Sequence, residues 1–341
     1  MAVSDWEQLI TRRGRRSGVT TMVAVHSSAR CPAVGGCRLK AYASLDDAVA
    51  DVLRLSRAMT VKCAVAGLPF GGAKSVIALD EGATLTPAQR RDVLLDHAEL
   101  IASFDGGYRA GPDVGTGPED MLVLREITPY AFCVPETHGG TGSSSGPTAN
   151  GVLAALRAGA AAVFGMSAMA GRRVMVSGYG SVGALIARGL VEAGADVTVS
   201  DVDEAKRAEA ERSGLRWADP DKALTLSADV VVPAAVGGVL DPGTAARIDA
   251  PLVVGPANNQ LTDDTVADVL AARGVLWVPD FVASAGGVVY TLSREAEGLG
   301  HDAALGRVEA IGDTVAGLLA AARVNGTTPL AEAHALAAQR G

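Results

Sequence analysis

Val174-Met175-Val176-Ser177 runs directly into Gly178-Tyr179-Gly180-Ser181-Val182-Gly183, and residues 184–194 continue at helical spacing. A β-branched run, a glycine-rich turn and a helix in that order predict a dinucleotide-binding βα unit. Gly178 permits the tight turn, Gly180 lets the backbone approach a pyrophosphate, and Gly183 lets helix and strand pack closely. Ser181 and Val182 open the helix, whose free N–H groups favour an anion. Asp201 ends the next strand 18 residues after Gly183, where its carboxylate would accept hydrogen bonds from ribose hydroxyls. A carboxylate there repels a 2′-phosphate, and Asp203 adds to the repulsion, so NAD is expected over NADP. The competing reading is a turn of the same shape that binds nothing.

Working outward, strands at Arg173–Ser177, Asp196–Ser200, 229–233, 252–255 and 275–278 alternate with helical segments. That rhythm implies βαβ units and a mostly parallel sheet. Upstream, residues 139–146 read GGTGSSSG, a stretch with high backbone entropy and little to pack, as in a linker or hinge. Earlier still, residues 20–26 read as a strand, and Ser44 opens a helix with Ala48, Val49, Val52, Leu55 and Met59 at helical spacing. Residues 61–65 and 75–79 read as further strands. Thr86-Pro87-Ala88-Gln89 is a capping box that starts a helix running through Ala102. The fold class is therefore α/β with two domains: residues 1–138, a Gly/Ser hinge at 139–146, and a Rossmann domain at 147–321. The helical tail at 322–341 is read as packing back on the first domain.

Composition narrows the function classes. The net charge is -8 and no Lys/Arg run tracks a phosphate backbone, which argues against nucleic acid. Arg12, Arg13, Arg15 and Arg16 form one basic cluster, read as a solvated turn. Cys31, Cys37, Cys63 and Cys133 show no CxxC pair and no metal-ligand spacing, as expected of lone thiols in a reducing compartment. No metal site is expected. The start lacks the apolar core of a signal peptide, and apolar runs such as 230–240 are too short to cross a bilayer. A cytoplasmic protein without a membrane partner is the expectation.

Lys62 lies in Val61-Lys62-Cys63-Ala64-Val65, and Lys74 in Gly71-Gly72-Ala73-Lys74-Ser75. A long cation is costly to bury among such neighbours, so each implies an anionic partner or a depressed pKa. Taken alone, either could equally be an edge-strand lysine pointing to water. The Gly71-Gly72 pair favours a ligand beside Lys74, because it allows a close approach of the backbone. Asp113, in Gly111-Pro112-Asp113-Val114-Gly115-Thr116, is likewise an acid in a loop of small residues.

Along almost its full length the chain resembles the leucine/phenylalanine/valine dehydrogenase branch of the glutamate dehydrogenase superfamily. The resemblance is carried by Pro32-Ala33-Val34-Gly35-Gly36 with Arg38, by Lys62, by LPFGGAKSVIAL at 68–79, and by GPDVGT at 111–116. Pro147-Thr148-Ala149, the glycine motif with Asp201, PANN at 256–259 and PDFVASAGG at 279–287 complete it. It implies a first domain for substrate binding and homo-oligomerisation, and NAD as cofactor. Lys62 would bind the substrate carboxylate, Lys74 would activate water, and Asp113 would shuttle protons. Gly35 and Asn258 would lie beside the substrate. Thr148, Ala234, Asn258 and Ser284 would line the cofactor, Ser284 standing where family members often have Asn. Val34, Gly111, Val288 and Thr291 would form the side-chain pocket.

The residue types suit oxidative deamination of an apolar L-amino acid to its 2-oxo acid and ammonia. Loss of hydride from Cα gives an iminium, which water must attack, and the base must work near neutral pH. An ordinary lysine, with a pKa of about 10.4, is too protonated, so the second cation and exclusion of water are expected to lower that of Lys74. A glutamate dehydrogenase would need a cation at Val34 to meet the side-chain carboxylate. Another Rossmann oxidoreductase would not need the paired lysines, and a silent NAD-binding regulator would not need Lys74 and Asp113. A pocket without charge makes Glu, Asp and Lys poor substrates, and the room at Gly111 favours Phe or another large side chain over Leu, Val, Ile and Met.

Overall fold

The computed structural model describes residues 5–340 and divides the chain into two units. One runs to Ser143 and takes in Glu295–Glu297 and a terminal piece from Ala337; the other holds Ser144–Arg294 and Gly298–Leu336. Residues 1–4 and 341, which the sequence reading assigned to the first domain and the tail, lie outside the described residues.

The first unit contains β1 (Gln8–Arg13), β2 (Thr20–Ser27), β3 (Ala33–Tyr42), α1 (Leu45–Val65), β4 (Gly71–Asp80), α2 (Pro87–Ala102), β5 (Tyr108–Pro112) and α3 (Pro118–Leu124). Its sheet has the order β1-β2-β4-β3-β5. β1, β2 and β4 pair antiparallel, whereas β3 lies parallel to both β4 and β5. Side chains alternate across a strand, so the sheet has two distinct faces. Ala33, Cys37, Ala73, Ile77, Tyr108 and Ala110 pack toward Val93, Leu94 and Ile101 of α2 and Met121 of α3. Met22, Ala24 and Val76 face the other way, toward Ala48, Val52 and Leu53 of α1. Of the candidate site residues in this sheet, Val34, Lys74 and Gly111 lie on the α1 face.

The helix starts follow their caps: the Asp47 N–H donates to Ser44 Oγ at 3.1 Å, and Thr86 and Gln89 cap each other. Residues 61–65 are not a strand. They are the last turn of α1, where β-branched Val61 and Val65 obscured an apolar helical stripe that continues from Val52 and Leu55 to Cys63. Lys62 is therefore a helical residue in a last turn, where a cation suits the macrodipole.

The second unit runs through α4 (Ser145–Phe164), β6 (Arg173–Ser177), α5 (Ser181–Glu192), β7 (Asp196–Ser200), α6 (Arg207–Arg212), β8 (Arg216–Trp217), β9 (Val230–Pro233) and α7 (Pro242–Ala245). It continues with β10 (Leu252–Val253), α8 (Val266–Ala272), β11 (Leu276–Trp277), α9 (Asp280–Ala283), α10 (Gly286–Glu295), α11 (His301–Glu309), α12 (Ile311–Asn325) and α13 (Pro329–Arg340). The sheet is all parallel, in the order β11-β10-β9-β6-β7-β8. The order reverses between β7 and β9, beside β6, where a doubly wound sheet opens its ligand crevice.

Two expected boundaries move. Ser145 and Gly146 already belong to α4, so the irregular stretch is shorter than 139–146. The tail does not leave the second unit at 322, because α12 packs on α4. Only from Ala337 does the chain join the first unit, and there the Arg340 guanidinium donates to the Val65 carbonyl at 2.7 Å.

Cys37, Cys63 and Cys133 are buried, Cys31 is exposed, and none of the four is in a disulfide. The basic cluster Arg12, Arg13, Arg15 and Arg16 is exposed to solvent, and Arg16 also pairs with Asp96 and Glu99.

Candidate active site

Successive residues of β3 with the same parity, Val34, Gly36 and Arg38, lie on the face that carries Lys74 of β4. Lys74 is 5% exposed, and its Nζ donates to Asp113 Oδ2 at 2.5 Å. The other carboxylate oxygen, Oδ1, accepts from Arg38 Nε at 2.8 Å. Arg38 is held in turn by Asp51 of α1 at 2.9 Å, and Asp51 also accepts from the Tyr42 hydroxyl at 2.8 Å. The Asp113 N–H donates to Thr116 Oγ1, whose hydroxyl donates to the Cys37 carbonyl, so the loop after β5 is tied to β3.

Burial alone would raise the Asp113 pKa, but Lys74 and Arg38 outweigh it and hold the carboxyl far below its usual range. Asp113 is thus an anion between two cations. It can take a proton only from a group pressed against it, and Lys74 is that group. A lysine and a carboxylate in direct hydrogen-bond contact can exchange a proton without an intervening water.

Lys62 sits in the last turn of α1, and that turn lies directly on β4: a Cβ at Gly72 would come within 2.1 Å of the Thr60 backbone nitrogen. Gly111 has open space where a side chain would stand, and Val34 is 2% exposed. Gly35 faces the opposite side, where a Cβ would meet the Ala73 carbonyl oxygen at 1.8 Å. Its lack of a side chain serves the packing of β3 on β4. Gly36 is the glycine that makes room for chemistry, since a Cβ there would meet Asp113 Cβ at 2.8 Å.

Gly36, Arg38 and Thr116 were missing from the residues assigned roles from sequence. The signal for the first two was present: they follow Val34 at two-residue spacing and so share its face.

In the second unit the glycine motif forms a tight strand-to-helix turn. Gly178 has φ +118, a conformation reserved for glycine, and a Cβ there would press on Ala235 nitrogen at 2.5 Å. A Cβ at Gly183 would meet the Gly178 carbonyl at 2.0 Å, so helix and strand are as close as the motif implies. Nothing lies near the missing side chain of Gly180, the residue before α5, and no side chain caps the first turn at Ser181 and Val182. Those free N–H groups and the open backbone fit a dinucleotide phosphate.

Asp201 follows β7 and accepts from the N–H groups of Tyr179 and Asp203 at 2.8 and 3.0 Å and from Lys206 Nζ at 2.9 Å. Burial opposes ionisation, but these donors together hold its pKa down. Ala234 N–H donates to the Ser177 carbonyl, which places Ala234 beside the turn.

Thr148 lies in the first turn of α4 against Gly287, and Ser284 is buried at the end of α9. Val288 and buried Thr291 stand one turn apart on α10. Asn258 is exposed in the loop after β10, where its neighbour Asn259 donates its N–H to buried Asp280 at 2.8 Å.

Comparison with known proteins gives the family. Residues 7–130 match the model of the Glu/Leu/Phe/Val dehydrogenase dimerisation domain, and residues 201–294 that of Glutamate/Leucine/Phenylalanine/Valine dehydrogenase. A phenylalanine dehydrogenase from Caldalkalibacillus thermarum is 36% identical over 92% of this chain and 85% of its own length. A valine dehydrogenase from Streptomyces virginiae is 39% identical over 98% of this chain and 93% of its own. The crystal structure of L-tryptophan dehydrogenase from Nostoc punctiforme superposes with a TM-score of 0.81 at 30% identity, covering 98% and 96% of the two chains. The chain belongs to the Glu/Leu/Phe/Val dehydrogenase family and is an amino-acid dehydrogenase of that type.

Proposed function

We propose that the protein catalyses the reversible, NAD-dependent oxidative deamination of an apolar L-amino acid to its 2-oxo acid and ammonia. The observation that carries this reading is the buried Lys74–Asp113 pair on the sheet face covered by α1.

A bound nicotinamide would supply the acceptor for the hydride that leaves the substrate Cα, and the other steps fall to the chain. Lys62 holds the substrate carboxylate by charge. Lys74 takes a proton from the water that attacks the iminium carbon, giving a carbinolamine. Lys74 then gives that proton to the departing nitrogen, and the Asp113 carboxylate takes up, through Lys74, the proton lost from the carbinolamine hydroxyl as it collapses to ammonia and the oxo acid. Arg38 keeps the Asp113 carboxylate ionised and turned toward Lys74. Asp201 receives the adenosine ribose, and its charge favours NAD over NADP. The matched dimerisation domain supports a homo-oligomer built through the first unit, and the Gly/Ser stretch after Gly139 supports a hinge that closes over substrate.

Mixing the protein with NAD and a panel of L-amino acids, and following the absorbance of the reduced cofactor, tests the reading. Turnover is expected for large apolar substrates. No turnover of any amino acid in either direction would sink it.

A further inference from the structure

Arg109 is the one charged side chain that β5 contributes to the site face. Tyr108 and Ala110 are fully buried toward α2 and α3, so the alternate residues Arg109 and Gly111 lie on the face of Val34 and Lys74. Register fixes the neighbours: Arg109 stands beside Val34, and Gly111 beside Gly36. Gly36 is also the residue that faces Asp113. Same-face residues on a strand are separated by roughly 7 Å, so Arg109 begins one side-chain length from the open space at Gly111. On the dehydrogenase reading, the far end of a bound side chain would lie there.

Arg38, on the same sheet face, meets two carboxylates, Asp51 and Asp113. Among the described residues Arg109 has no such partner, and its buried Nε has no acceptor. Its guanidinium instead sits 6.0 Å from the ring centroids of both Tyr130 and Phe132. Those rings offer weak cation–π attraction and an apolar wall, but no oxygen. A half-buried donor left without an acceptor is costly, and a ligand that brings one recovers that cost.

We propose that Arg109 is a specificity-determining residue that selects an L-amino acid whose side chain ends in an oxygen acceptor. It rests on the dehydrogenase reading above and replaces its wholly apolar substrate side chain with one that is apolar along its length and ends in oxygen. Val34 carries no charge, but the residue beside it does, so the pocket is apolar along its length and cationic at its end. A phenol suits that arrangement best, with its ring against Val34 and Phe132 and its oxygen on the guanidinium. A carboxylate on a shorter chain supplies the same acceptor. Sites built to hydrogen-bond a substrate oxygen discriminate strongly against the analogue that lacks it.

The test compares kcat/KM for Tyr against Phe and for Glu against Leu, in the wild type and in Arg109→Met and Arg109→Lys. The wild type is expected to favour the oxygen-bearing member of one pair at least tenfold, and the pair that responds identifies a phenol or a carboxylate. Arg109→Met should reduce that ratio at least tenfold, with Arg109→Lys between the two. Calorimetric binding of 3-(4-hydroxyphenyl)propionate against 3-phenylpropionate, and of glutarate against a monocarboxylate of equal length, should show the same preference and the same loss. Wild-type ratios near one in both pairs overturn the proposal, as do ratios that Arg109→Met does not move. If no amino acid is turned over, the dehydrogenase reading fails while the binding comparison still decides the role of Arg109. If Arg109→Met does not fold, Arg109→Gln and the wild-type ratios decide it.

Discussion

Asp113 in the first unit and Asp201 in the second are both carboxylates held below their usual pKa against the opposing effect of burial, and they are held differently. Asp113 is stabilised by two side-chain cations, Lys74 and Arg38, brought from β4 and β3. Asp201 rests on two backbone N–H groups of its own strand–turn–helix unit and on Lys206, 33% exposed, a few residues along the chain. The second arrangement comes with the local fold and asks only for glycines at fixed spacing. The first depends on the register of a whole sheet. One is suited to receiving neutral hydroxyls without changing state, the other to moving a proton, and substitutions should separate them.

The largest effect belongs to Asp113. Asp113→Asn is nearly isosteric and leaves Lys74 without its anion, so kcat should fall about a thousandfold, within the range for losing general acid–base catalysis. The dissociation constant for NAD, read from the fluorescence of the bound cofactor, should stay within a factor of two because the dinucleotide turn is in the other unit. A near-normal kcat would remove Asp113 from the proton path.

Arg38→Met is more discriminating. It leaves the Lys74–Asp113 pair intact but deletes one of the two cations that depress the carboxyl. A carboxyl pKa rises when a neighbouring positive charge is lost, so the acid limb of the kcat/KM–pH profile should move to higher pH by about one unit. The accompanying loss of kcat should be about tenfold, because Asp113 also loses its tether through Asp51. Arg38→Lys, which keeps the charge, should restore the limb more fully than the rate. A profile unmoved in both variants would show that Arg38 only packs.

The contrast between the two carboxylates also explains what could be read from sequence. The strand, the glycine turn and Asp201 were legible because their geometry is local: Gly178 at φ +118 and the close approach at Gly183 admit no other residue. The capped starts of α1 and α2 were legible for the same reason. Residues 61–65 were misread because β-branched composition is a weak signal for a short segment, and the packing of Cys63 and Val65 decided for helix. Arg38 could be quoted within a family motif, but its partner lies 75 residues away. Arg109 carried no signal at all, since its meaning depends on the pairing of β5 with Val34.

A smaller effect is expected at Lys206. Its ion pair with Asp201 at 2.9 Å offsets part of the charge that should exclude a 2′-phosphate. Lys206→Ala should sharpen the preference for NAD over NADP by roughly threefold to tenfold, a range expected of one partly exposed charge. Asp201→Asn, which frees the lysine, should shift the ratio the opposite way. If both substitutions leave the NAD/NADP ratio of dissociation constants unchanged, the ribose does not rest on Asp201.

The last effect, at Gly111, tests shape rather than charge. No atom stands within 4 Å of the position where a Cβ at Gly111 would be, so alanine there costs the fold little and takes space only from a ligand. A methyl group in a hydrophobic pocket changes discrimination by about 1–3 kcal/mol, at most two orders of magnitude in a ratio of kcat/KM. Gly111→Ala should therefore lower kcat/KM for Phe more than for Val, with the melting temperature within about 2 °C of the wild type. Because Gly111 and Arg109 are two residues apart on one face, the methyl should also push a long side chain away from the guanidinium. The loss should then be greater for Tyr than for Phe. A Phe/Val ratio that does not move would place the side-chain pocket elsewhere than over Gly111, and a Tyr/Phe ratio that does not move would separate Gly111 from the space that Arg109 serves.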